Sequence, residues 1–400
     1  MSGSRFAAFT SRGFRRYFLA QIVAQTGLWF QTLTVALVVA ERTGNAFALS
    51  GVAIATFAPT LAWSWVAGRA SDRWSPRRIL IASTVVIGLV SPAMIIVLTA
   101  PVLELVPLYT ALAVFGSAST FARVSAQALV YELVGEELLQ NASIWASVMV
   151  STARIAGPGL AGATLALVGE AGSLLVNTAF ALVAAALVAT ISERDLFPRR
   201  DRAGGSIRVS DPAQTLSRSI IAVIVLNGVV SLVAMNVAVT LTSIVSFELD
   251  GDAAALGITH TLNAIGAVFA GFLLTRVRHM TAIAVALGAI AFALSQLLLA
   301  APAELVPFLL LTPILGLGLG LYQSGLMTAV QTGTPPALLG RAMSLVNLTS
   351  FGPLPLGAVL IGFLIETLGA RGALAASGVL CLVTAAVMIV LMRRILRSER

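Results

Sequence analysis

Lysine is absent from this 400-residue chain, and charge of any kind is scarce. Acidic and basic residues together make up 10% of it, where soluble domains carry about 25%. With 58% apolar residues as well, a water-soluble globule is excluded. The single cysteine, Cys381, rules out an internal disulfide, and with only two histidines a metal-ligand cluster is not expected. No nucleophile motif or phosphate-binding loop stands in a context that would support enzyme chemistry or ATP hydrolysis on this chain. No basic, aromatic-interleaved module is present either, so the net charge of +8 does not point to nucleic acid, and no cofactor is expected.

What remains is a series of apolar runs, several of them reaching the roughly 20 residues a helix needs to cross about 30 Å of hydrocarbon. Charged, Gly and Pro clusters divide them into spans at about 14–40, 46–67, 79–100, 104–128, 139–167 and 171–191, then 219–247, 253–275, 279–300, 304–330, 341–365 and 371–392. The expected architecture is therefore an all-α integral membrane protein of twelve transmembrane helices, its first span retained because no small-residue cleavage site follows the basic N-terminus. Positive charge in short loops stays cytoplasmic. Placing both termini there puts 21 of the 25 arginines on the cytoplasmic side, with Arg42 and Arg371 outside and Arg123 and Arg154 within spans. The outer loops instead carry acids, among them Glu41, Glu104, Glu248, Glu304 and Glu366. Zero lysine and abundant alanine suggest a bacterial, GC-rich origin, hence a bacterial inner membrane.

The chain also repeats itself with a shift of 200 residues. Glu104-Leu105-Val106-Pro107 recurs as Glu304-Leu305-Val306-Pro307, and Gly51, Gly88, Gly116, Gly157, Gly162, Gly169 and Gly172 meet glycines at the same offset. Two six-helix pseudo-repeats, 1–191 and 219–400, would be joined by a polar cytoplasmic linker, 192–218. Such parallel repeats are a transporter architecture, in which substrate binds near the midplane between halves that expose it to each side in turn.

Between spans 2 and 3 stands Gly68-Arg69-Ala70-Ser71-Asp72-Arg73-Trp74-Ser75-Pro76-Arg77-Arg78. It resembles the signature loop of the major facilitator superfamily, Gly-x-x-x-Asp-Arg-x-x-x-Arg-Arg, with Ser75-Pro76 where a glycine usually lies. In span 5, Gly157-Pro158-x-x-Ala161-Gly162 resembles the Gly-Pro element of the superfamily's exporters. Together with Gln127 to Val134 at the end of span 4, the pattern is most similar to the branch that contains the enterobactin exporter and related multidrug exporters. The resemblance implies the major facilitator fold, proton-coupled export, a monomer, and a conformational latch of Gly68, Asp72, Arg73, Arg77, Arg78, Arg123 and Glu132. In that latch the arginines would pair with Glu132 or Glu136; the plainer alternative is that they only enforce topology. The matching second-half loop has Thr275 in place of the aspartate, so the latch would be asymmetric. Gly157, Pro158 and Gly162 would form a hinge or seal, or simply pack helices.

A buried arginine is expensive, about 2.5–3.5 kcal/mol at a helix centre on insertion scales, so Arg154 is a candidate for substrate binding, with an interhelical hydrogen bond as the alternative. Gln21, Gln25 and Trp29 share one face of span 1, Asn227 and Ser231 share one face of span 7, and Gln323 and Asn347 lie in spans 10 and 11. These complete the candidate binding set, each with an interhelical role as its alternative. No carboxylate lies deep in a span, which favours an anionic, weakly acidic or neutral amphiphile over a cation. Candidate proton carriers are Asp72, Glu132 and His260. The expected function is secondary active, proton-coupled export of a small amphiphile such as a siderophore, secondary metabolite or drug, by a chain whose partners are that substrate, protons and the lipid bilayer; an importer or a non-transporting receptor is the alternative.

Overall fold

The computed structural model describes residues 6–193, 196–197, 216–274 and 281–398, and the regular structure among them is helical. Inside hydrocarbon each peptide group must find its partner within its own segment, which a helix achieves and an open strand does not. A short 3-10 turn, Ala7–Thr10, precedes α1 (Arg12–Thr43), α2 (Ala46–Arg73), α3 (Pro76–Leu98) and the long α4 (Leu105–Ala189). Then come α5 (Arg218–Ala234), α6 (Val237–Ser243), a π-helical turn (Ile244–Glu248), α7 (Ala253–Leu274), α8 (Ala282–Leu299), α9 (Leu305–Gly333), α10 (Pro336–Phe351) and α11 (Leu354–Ser398).

Among the described residues, ten helical segments are long and apolar enough to cross a membrane. Two of them, Val148–Ala189 and Ala342–Met392, run for 42 and 51 residues, enough for two crossings each. Each is broken by a glycine in a conformation closed to other residues: Gly169 at φ 72°, ψ −174° and Gly369 at φ 76°, ψ 169°. Splitting the chain there fits twelve crossings. The two glycines are 200 residues apart, so the repeat read from sequence has a backbone counterpart. A third break of the same kind, Gly135 at φ 69°, divides α4 again.

The outside is apolar and the inside carries the polar groups, the reverse of a soluble protein. Ile96, Val106, Leu167 and Leu310 are all more than 70% exposed, whereas Gln31, Ser91, Asn177 and Gln296 are buried. With no hydrophobic force between helices in lipid, close contact and interhelical hydrogen bonds hold them together. Glycine provides the contact: a Cβ on Gly116 would lie 2.2 Å from the Thr56 carbonyl oxygen, and one on Gly316 would lie 1.8 Å from that of Asn263. The 200-residue offset thus also preserves where α4 meets α2 and where α9 meets α7.

The chain packs as two units, Met1–Val38 with Ala55–Gly204 and Val39–Ile54 with Gly205–Arg400. In the first, Asn177 donates to Gln31 Oε1 (3.0 Å) and to Ser91 Oγ (2.7 Å), which itself donates to Gln31 Oε1 (3.2 Å), binding α1, α3 and the last part of α4. Thr34 donates to Ser173, Thr60 pairs with Thr120, and Ser71 pairs with Ser125. At the N-terminus the Ala8 amide donates to Asn141 Oδ1, while Phe6 and Phe9 pack on the ring of Trp145. Phe197 packs at the same end of this unit: its amide donates to the Glu132 carbonyl (2.6 Å) and its ring covers Gly135.

In the second unit Glu248 holds the restart of α11 after Gly369. Its carboxylate accepts from the amides of Ala370 (2.5 Å) and Arg371 (3.1 Å) and from Arg371 Nε (2.6 Å). The turn joining α1 to α2 belongs here too, which differs from the boundary expected at the linker. The Ala46 amide donates to Glu366 Oε1 (3.3 Å), and Phe47 and Ser50 fit against Gly362, where a Cβ would lie 2.7 Å from Ser50 Oγ. Contacts of this kind tie 39–54 to α11.

Candidate functional site

One candidate residue of α1, Trp29, meets the Gly-Pro element of α4. Gln21 is buried on α1, and Gln25 and Trp29 follow it at one-turn intervals, each half-buried. Trp29 lies in a notch made by Gly157: a Cβ there would come within 2.2 Å of the indole Cδ1 and 2.8 Å of Cγ. Glycine is required at 157 because any side chain would displace the ring. Pro158 and Gly162 lie on the same buried side, so the Gly-Pro element and the α1 face, read separately from sequence, meet here.

Arg154 is one turn before Gly157. At about 100° per residue it falls inside the arc that Ala153, Gly157, Ala161 and Leu165 bury, yet Arg154 itself is exposed, as is Val150 one turn earlier. The packed stripe opens at this point. Among the described residues no hydrogen bond or ion pair engages the Arg154 guanidinium, a group that carries five donors. Arg123, by contrast, is half-buried and engaged.

In the second unit Asn227 is the centre of a saturated network. Its Nδ2 donates to Thr349 Oγ1 (3.0 Å) and Ser350 Oγ (2.9 Å), and its Oδ1 accepts from Tyr322 (3.1 Å), so α5, α9 and α10 are joined through one side chain. Ser231, one turn on, is fully buried. Gln323 is half-buried and Asn347 exposed. His260 is buried in α7 and has an interaction partner.

The loop between α2 and α3 is placed differently from expectation. Arg77 donates to the carbonyls of Val188 (3.3 Å) and Ala189 (2.5 Å), and Arg16 to that of Thr190. Both cations sit on the negative C-terminal end of α4, where free carbonyls need donors. Arg78 pairs with Glu193 at 3.2 Å across two largely exposed side chains. Arg73 is exposed, and Arg69 lies 4.4 Å over the Trp65 ring. The anticipated partner Glu132 is buried and engaged, and its backbone carbonyl holds Phe197. Gly68 has open space around it. The side chains of Asp72 and Glu136 lie outside the described residues, as do Thr275 and most of the linker.

A family model described as a transmembrane secretion effector matches residues 3–399. The chain belongs to that family. It is a multi-pass membrane transporter of the major facilitator type, not an enzyme. Solved structures of similar shape include a POT family transporter in complex with 5-aminolevulinic acid, 11% identical, with a TM-score of 0.75 over 96% of this chain and 97% of that one. Another is the nucleoside transporter NupG, 13% identical, with a TM-score of 0.68 over 95% and 99% of the two chains. At such identities the likeness establishes the major facilitator fold and nothing finer. No curated protein matches the sequence.

What sequence reasoning missed in this transporter are the partners that close the polar clusters. Tyr322, Thr349 and Ser350 around Asn227, and Gln31, Ser91 and Asn177 in the first unit, lie 60 to 146 positions apart. A polar residue in an apolar run was the available signal. It marked Asn227, but the same signal at Gln31 and Asn177 was passed over.

Proposed function

We propose that this chain exports small amphiphilic molecules, anionic or neutral, from the cytoplasm by alternating access, driven by protons, in the inner membrane of a bacterium and as a monomer with both termini cytoplasmic. Siderophores, secondary metabolites and lipophilic antibiotics are the substrate classes that fit. The observation that carries this reading is Arg154, an exposed guanidinium with no partner among the described residues, opening from an otherwise packed stripe beside the Trp29 and Gly157 notch. A cation kept in a span at a cost of about 2.5–3.5 kcal/mol is retained for function by default, and its complement is an anion. In the first unit Trp29 is proposed to supply an apolar, hydrogen-bonding wall, with Gln25 as a polar contact and Gln21 buried one turn before it; in the second unit Gln323 and Asn347 are the proposed polar contacts, with Asn227 and Ser231 buried. The family description supports the outward direction.

Gly68, Asp72, Arg73, Arg77, Arg78, Arg123 and Glu132 are proposed as the cytoplasmic latch, with Gly157, Pro158 and Gly162 as the hinge. Asp72, Glu132 and His260 are the proposed proton carriers. Everted vesicles test the reading: a panel of anionic, neutral and cationic amphiphiles is offered with and without an imposed proton gradient. Gradient-driven accumulation of anions that Arg154→Ala abolishes is expected. Accumulation of cations, unaltered by that change, would overturn the anionic assignment.

A further inference from the structure

The first unit closes the junction of α1, α3 and the end of α4 with direct bonds among Gln31, Ser91 and Asn177. Shifting by 200 residues gives Ser231 for Gln31 and Ser377 for Asn177, both shorter side chains. Where α5, α8 and the second part of α11 meet, the buried Gln296 of α8 carries an amide. Ser231, Gln296 and Ser377 are at most 2% exposed. Neither hydroxyl, and neither end of the Gln296 amide, has a hydrogen-bond partner among the described residues.

These groups lie where the helices meet. A Cβ on Gly378 would be 3.2 Å from the Gln296 Cβ, so the amide side chain starts beside the Ser377–Gly378 turn. One turn further along α11, Cys381 Sγ donates to the Ala289 carbonyl on α8 at 3.6 Å. α5 packs on α8 as well. Buried polar atoms are retained with partners or not at all, because each orphan bears its full desolvation cost. An amide whose donor and acceptor have no partner among the described residues, beside the Ser377–Gly378 turn, together with two hydroxyls that can serve as either, matches the two to four bonds that an internal water makes. A metal cation fits poorly: α5, α8 and the 370–398 part of α11 contain no Asp or Glu, and the amide nitrogen needs an acceptor.

We propose that the second unit holds an internal water-binding site formed by Ser231, Gln296 and Ser377. There water completes the junction that the first unit completes with side chains. The two repeats would then share a skeleton but differ in how their centres are held, one by direct bonds and one by exchangeable solvent.

Radiolytic footprinting in 18O-labelled water tests this on the full-length protein in detergent. Hydroxyl radicals formed at a bound water oxidise the side chains beside it, and the label identifies water as the oxygen source. Cys381 and Phe292, each one turn from a proposed ligand, should acquire 18O several-fold faster than Phe308, which is equally buried but elsewhere in the fold. Gln296→Leu should reduce that labelling to the Phe308 level. Ser231→Gln with Ser377→Asn, which installs the first unit's pair, should do the same while keeping or raising the unfolding temperature. Equal labelling of Cys381, Phe292 and Phe308 in the unaltered protein would overturn the proposal, and this comparison stands even if a variant fails to fold. Exchange of sodium for choline should leave the unfolding temperature unchanged; a sodium-dependent rise would assign the site to a cation instead.

Discussion

At the scale of single residues, the structure separates polar groups that hold helices from polar groups that remain open, a distinction that spacing does not carry. Asn227 and Arg154 both stood out as costly groups in apolar runs. Asn227 is saturated by Tyr322, Thr349 and Ser350, whereas Arg154 has no partner among the described residues. Removing Asn227 takes a partner from the buried Tyr322 hydroxyl and from the half-buried Thr349 and Ser350, at about 1–3 kcal/mol for a buried group left unpaired. Asn227→Ala should therefore lower the thermal unfolding midpoint in detergent, while Arg154→Ala should leave it unchanged and affect only transport. The Trp29 and Gly157 notch predicts a steric result. Gly157→Leu, placed 2.2 Å from the indole by its Cβ alone, should abolish transport at normal membrane abundance, with Gly157→Ala intermediate. Transport by Gly157→Leu at the unaltered rate would show that the notch plays no part.

At the scale of elements, helix existence was legible because long uncharged runs have no other stable state in hydrocarbon. The break at Gly169 and Gly369 was visible as an aligned pair of glycines, though the reason for glycine, a positive φ with extended ψ, appears only in the backbone. Alanine at either position should cost about 1–3 kcal/mol, read as a lower unfolding midpoint. The loop arginines were less legible. Their sequence neighbourhood suggested Glu132 and Glu136, but a helix C-terminus attracts cations without any acidic residue to announce it. Arg77, on the carbonyls of Val188 and Ala189, should matter to stability by about 0.5–1 kcal/mol when changed to alanine. Arg78, whose pair with Glu193 is 74% and 65% exposed, should change it by less than about 0.5 kcal/mol. A reversed order of these two effects on the midpoint would contradict the assignment.

At the scale of the whole molecule, the two-fold repeat was the most legible feature, since glycine contacts constrain position and survive a constant offset. The allocation of Val39–Ile54 to the second unit was not, because it depends on one carboxylate, Glu366, reaching the Ala46 amide and on the space above Gly362 that admits Phe47 and Ser50. Gly362→Leu should expel those side chains, so a Ser50→Cys probe should react faster with a membrane-impermeant thiol reagent added from outside intact cells. The proposed function rests on an arginine set in a span recognising an anion carried outward against its gradient. The most direct measurement is proton-driven uptake of an anionic amphiphile by everted vesicles carrying the unaltered protein, Arg154→Ala or Arg154→Lys. Saturable uptake is expected, abolished by alanine and partly kept by lysine, which preserves the charge but not the fork of donors. Uptake of the anion that is equal in all three would contradict the proposed function.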